Sequence, residues 1–153
     1  MAPPLDGSPD SVKGRTVKLP FNLLWESLVE KTTKPDRYLP VRDVTCRDNE
    51  DGSIYREMRL PGKDGSQGIV MKENIYHDEQ TKTVEFRNVD DANFVVVNRY
   101  VDLGDGAGGY IEYFVKDSEG KMLGWMKGGR DGAGEAIEKH YRYAEEKEAA
   151  KKA

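Results

Sequence analysis

Apolar positions along the chain change period twice. Phe21, Leu24, Trp25, Leu28 and Val29 fall at i, i+3, i+4, i+7 and i+8, a stripe that predicts an amphipathic helix over 21–31. Pro20 suits its start. Pro35 and Pro40 bracket a kinked or one-turn segment holding Tyr38 and Leu39. From Val41 the period becomes two, and alternation predicts strands over 41–47, 53–60, 69–76, 81–88, 94–103 and 110–115. Runs rich in turn formers separate them, among them 48–52, 77–80 and the glycine-rich tip 104–109. An earlier alternation around Val12 and Val17 predicts a first strand over 11–18. Residues 122–130 read either as a short strand end or as an irregular approach to a final helix. The helical period then returns over about 131–152, with Asp131 as cap and Glu135 near the first turn.

That last stripe consists of Ala133, Ile137, His140, Tyr141, Ala144 and Glu148, with His140 at its edge. It is thin for a core helix and fits one laid across a sheet with room beneath. Consecutive strands joined by short turns imply an antiparallel sheet, solvated on one face and covered on the other. Alternation assigns the covered face: Ile54, Met58 and Leu60; Ile69, Met71 and Ile75; Val84 and Phe86; Ile111, Tyr113 and Val115, with Glu112 turned outward. Strand 94–103 is ambiguous, and the aromatics favour the face bearing Phe94, Val96, Asn98 and Tyr100. The same rule turns Arg56, Glu73 and Asn98 inward.

Charge on an apolar face is costly unless paired. Arg56 and Glu73 therefore read in one of two ways: as an ion pair bracing neighbouring strands, or as a polar patch that orients a ligand or moves a proton. Composition narrows the partners. A chain of 153 residues fits one domain with its own core, here 11–153 behind a disordered tail 1–10. The net charge of −4 gives no nucleic-acid footprint. No apolar run approaches a membrane span, and the start has no secretory core. One cysteine, Cys46, excludes a disulfide within the chain and leans towards a reducing, cytoplasmic setting.

The ordered stretches Leu23-Leu-Trp-Glu-Ser-Leu-Val29, Lys34-Pro-Asp-Arg-Tyr-Leu-Pro40, Ile54-Tyr-Arg-Glu-Met58, Met71-Lys-Glu73 and Val96-Val-Asn-Arg-Tyr100 resemble the SRPBCC superfamily. That superfamily holds START lipid-binding domains, birch-pollen-allergen-like proteins and aromatic polyketide cyclases. More narrowly, they resemble a fungal and bacterial branch of unknown function. The resemblance implies an α+β helix-grip fold: a curved antiparallel sheet of about six to seven strands around a long C-terminal helix, with two short helices after the first strand. It implies a cavity for a hydrophobic small molecule and transfers no catalytic set. Residues 124–134 are more glycine-rich than the resemblance leads one to expect.

Residue types alone bear on several chemistries. His77, placed in a turn, with His140 and Cys46, makes a poor donor set, so no metal site is expected. No nucleophile sits in a recognisable elbow, and Cys46 reads as packing. The run 128–134 before the last helix is a flexible connection, an anion site beside Arg130 or a lid. His140 is a solvent-edge residue or a general acid or base reaching the cavity. Trp25 is core or ligand platform. Tyr38, Tyr113 and Tyr141 each offer a hydroxyl to a ligand or to a buried backbone group. Met58, Met71, Phe86, Phe94 and Asn98 complete the expected ligand wall. These groups suit cofactor-independent cyclisation or isomerisation, with Arg56 stabilising negative charge and Glu73 or His140 moving protons. A non-catalytic lipid or metabolite carrier or sensor uses the same cavity. A partner-binding scaffold is the third reading.

Overall fold

The computed structural model describes residues 17–62, 67–126 and 133–152. Helix α1 (Phe21–Thr33) starts where the φ of Pro20 is already near helical, and the Leu23 amide bonds to the Pro20 carbonyl at 3.2 Å. Its buried side is Leu23, Leu24, Ser27, Leu28, Lys31 and Thr32. Pro35 ends the helix and opens a 3-10 turn, Pro35–Arg37.

Seven strands come next: β1 (Arg42–Asp48), β2 (Ile54–Pro61), β3 (Gln67–Asp78), β4 (Thr83–Asn88), β5 (Val95–Asp102), β6 (Gly109–Lys116) and β7 (Met122–Trp125). They form one antiparallel sheet in sequence order, β1 to β7. β1 carries a bulge between Arg42 and Thr45, where Asp43 takes a φ of 55°. Helix α2 (Ala133–Lys152) packs across α1 and β6 through Ala136, Ile137, His140, Tyr141 and Ala144, all buried. Sheet and helix together make a helix-grip architecture of the α+β class.

The expected first strand over 11–18 falls mostly outside the described residues. Its end survives as a bridge, with the Val17 amide bonded to Gly109 O at 2.8 Å and the Gly109 amide to Val17 O at 2.9 Å. Gly108 permits that approach: its φ is +86°, and a Cβ there would stand 2.2 Å from the Val17 carbonyl oxygen. The tail 1–10, the Asp131 cap and most of the glycine run 128–134 also lie outside the described residues.

Several expectations are corrected. β3 is longer than 69–76, so His77 is not in a turn; it sits in the strand, paired in register with Val84. Ile69 is 70% exposed, because the ladder shifts register between Arg59 and Pro61 and alternation fails at that end of the hairpin. Glu112 is buried although it points away from Ile111 and Tyr113. It binds the Arg99 guanidinium on the outer face, beside a second apolar cluster of Val95, Val97 and Phe114. β5 is thus apolar on both sides, which is why its pattern was ambiguous. Cys46 is exposed rather than packed.

Candidate functional site

A cavity of about 310 Å³ opens between the sheet face and the C-terminal end of α1. Met58, Leu60 and Pro61 of β2, Met71 of β3, Phe86 of β4 and Val96 of β5 form its apolar wall, with Phe94 just before β5. Leu39, Pro40 and Val41 close one side and Met126 another. The polar wall is Lys31, Arg56, Glu73 and Tyr113. No residue of α2 lines the cavity among those described; the inner side chains of α2 are buried against the core, and the space lies beside α1.

Arg56 and Glu73 are register partners on β2 and β3, joined Nη2 to Oε1 at 2.6 Å. Arg56 Nη1 also donates to the Lys31 and Thr32 carbonyls at 3.1 Å each. Those are last-turn carbonyls of α1, which a cation both satisfies and stabilises through the helix dipole. Both side chains are almost wholly buried. Arg56 Nε and Asn98 Nδ2 are buried without a hydrogen-bond partner among the described residues.

Lys31 is the residue that the sequence pattern did not single out. It continues the α1 stripe seven positions after Leu24 and three after Leu28, and it is buried. Nζ donates to Asn98 Oδ1 at 2.6 Å and to the Tyr113 hydroxyl at 3.1 Å. It lies 4.3 Å from the Tyr113 ring centroid and 4.7 Å from that of Phe86. Burial drives its pKa well below the ordinary lysine value; the Arg56 charge lowers it further and Glu73 opposes.

From Tyr113 a line of hydrogen bonds leaves the cavity. The Tyr113 hydroxyl meets His140 Nε2 at 2.6 Å, and His140 Nδ1 meets Ser27 Oγ at 2.6 Å. Ser27 Oγ lies 2.9 Å from the Tyr38 hydroxyl, which donates to Glu30 Oε1 at 2.7 Å. Donor directions are set from the end of the line. The Tyr38 hydroxyl spends its one proton on Glu30, so it accepts from Ser27. Ser27 then accepts from His140 Nδ1–H, which leaves Nε2 to accept from Tyr113. Burial pushes the His140 pKa well below its usual value, in keeping with a neutral ring. Burial likewise raises the Tyr113 hydroxyl well above the usual phenol range. His140 is therefore no solvent-edge residue: it is 0% exposed and linked to both helices and the sheet.

The remaining expected site residues divide. Met58, Met71, Phe86, Phe94 and Tyr113 line the cavity with Arg56 and Glu73. Asn98 reaches it through Lys31, and Tyr38 and His140 through the hydrogen-bonded line. Trp25 does not line the cavity; it is half-buried against Phe21 and edge-on to His77. Tyr141 does not either: its hydroxyl accepts the Ile111 amide at 2.9 Å, satisfying a buried backbone donor. Ser27 went unremarked in the sequence, although it shares the buried stripe with Leu24 and Lys31. Among the described residues no cluster of three or more His, Cys, Asp or Glu side chains is placed to hold a metal.

Fold and site together define a helix-grip protein with a small, largely apolar cavity and a polar end. No protein-family model matches the chain, and no curated protein matches it. Among solved structures it is similar to the crystal structure of the Zhui aromatase/cyclase from Streptomyces sp. R1128. Identity is 17%, the match covers 92% of this chain and 87% of that one, and the TM-score is 0.49.

Proposed function

We propose that the protein encloses a small apolar molecule bearing oxygen acceptors and performs cofactor-independent proton transfer on it, of the kind that drives a cyclisation or isomerisation. The observation that carries this reading is the line of hydrogen bonds from Tyr113 in the cavity wall through His140, Ser27 and Tyr38 to Glu30. Such a line conducts protons between a dry site and the edge of the molecule. The cavity, at about 310 Å³, lies at the low end of the roughly 300–1,000 Å³ usual for ligand pockets. The polar end of the cavity, formed by Lys31, Arg56, Glu73 and Tyr113, suits a ligand with oxygen acceptors.

A carrier or sensor is the second reading. It is favoured by the Arg56–Glu73 pair, whose bonds to each other and to the end of α1 give both residues an architectural task. Native mass spectrometry of gently purified protein, with extraction of the bound compound, supplies the molecule. Its conversion is then monitored with Tyr113→Phe, which removes one hydroxyl and keeps the ring. Loss of turnover with binding retained is the expected result. Binding with no conversion by the unaltered protein establishes the carrier reading.

A further inference from the structure

We propose that Lys31 is a nucleophile whose Nζ, held in the cavity wall between the Phe86 and Tyr113 rings, condenses with the carbonyl of an apolar aldehyde or ketone to form an imine. This rests on the cavity reading above and adds to it the class of reacting group.

The geometry leaves the nitrogen in the right state. A neutral amine has two N–H donors and one lone pair. Asn98 Oδ1 at 2.6 Å and the Tyr113 oxygen at 3.1 Å take the two donors. The lone pair is left over for a carbonyl carbon. Among the described residues Lys31 forms no ion pair, because the neighbouring carboxylate, Glu73, is bound to Arg56. A lysine desolvated in an apolar pocket beside another cation is the usual setting of an amine nucleophile.

The charged and titratable groups around Nζ come from every side. Arg56 and Glu73 stand on β2 and β3, Tyr113 on β6, and His140 behind Tyr113 on α2. Arg56 and burial favour the free amine before reaction. Glu73 favours positive charge at the same nitrogen, a charge the nitrogen carries once the C–N bond forms and before it sheds a proton.

The step balances without an oxidant or reductant. The lone pair forms the C–N bond while the C=O π pair moves to oxygen. Nitrogen sheds a proton to the Tyr113 hydroxyl, which passes one to the oxygen and gives a carbinolamine. The C–O bond then breaks, nitrogen loses its second proton, and both former N–H protons leave with the oxygen as water.

The test uses the full chain with hexanal as the carbonyl probe. After incubation at pH 7, borohydride reduces any imine to a stable secondary amine, and peptide mass mapping locates it. A lysine in water has a pKa of about 10.4 and is almost wholly protonated at that pH, so alkylation of Lys31 is expected to exceed that of exposed lysines by at least about tenfold. Lys31→Arg should abolish it. Hexan-1-ol, which has the same carbon chain but cannot condense, should protect Lys31 in the unaltered protein, so the result does not depend on how that variant folds. Label confined to exposed lysines overturns the proposal. If hexan-1-ol still binds by calorimetry in that case, the cavity reading stands alone; if it does not bind, both fall.

Discussion

Arg56 serves two structures at once, gripping Glu73 across the sheet and closing the last turn of α1. Removing it leaves a buried carboxylate without its partner, so Arg56→Ala is expected to cost about 3–5 kcal/mol. Replacing both members with methionine should recover most of that loss, since an apolar pair leaves no charge buried. Urea denaturation of the two variants checks both statements. Lys31 gives a pH signature. Its native pKa lies below the unfolded value near about 10.4, so the unfolded chain binds a proton that the native chain refuses. Stability therefore rises with pH until the unfolded pKa is passed. Between the native and unfolded pKa of Lys31 the protein should gain stability with rising pH, by up to about 1.4 kcal/mol per pH unit, relative to Lys31→Met, which lacks that slope. Neither role was fully legible in the sequence. Strand alternation turned Arg56 and Glu73 inward correctly, because period two is a property of the backbone. Lys31 escaped notice because a lysine near the end of a helix ordinarily reaches water. Its burial depends on Asn98 and Tyr113, residues 67 and 82 positions away.

At the level of elements, α1 is the hub. One stripe of this 13-residue helix supplies Leu24 and Leu28 to the core, Ser27 to α2 and Lys31 to the cavity. Ser27→Ala should leave His140 Nδ1–H buried and unmatched, at a cost of about 1–3 kcal/mol, read from thermal or urea unfolding. The helix was legible because apolar residues at 3.6 spacing show themselves locally. α2 was legible as an element but not in its task. Its small inner residues suggested room beneath it, whereas Ala136 and Ala144 let α2 lie close against its neighbours, with both residues fully buried. Spacing alone does not tell a small residue that leaves space from one that lets another element approach. β3 outran its expected end because His77 and Asp78 look like turn residues, yet they pair with β4, and His77 Nε2 lies 2.8 Å from Thr32 Oγ1.

Across the whole molecule the sheet is a meander, each strand beside its sequence neighbours. Among the described residues no helix is long and apolar enough to cross a membrane. The cavity wall draws on five consecutive strands, so filling the cavity should brace the sheet as one body. Hexan-1-ol at about a hundred times its Kd is expected to raise the unfolding free energy by about 2.7 kcal/mol. Calorimetric scans over a concentration series check this, and an unmoved transition would place the alcohol outside the cavity.

The bond between Ser27 and His140 spans 113 residues. A ribosome builds this protein strand by strand, and each new strand finds its partner already made. The hydrogen-bonded line is different: Ser27 and Tyr38 are made early, Tyr113 late, and the imidazole that joins them later still, on α2. It closes only with α2 in place, so the proton transfer proposed for it requires that the last helix has docked.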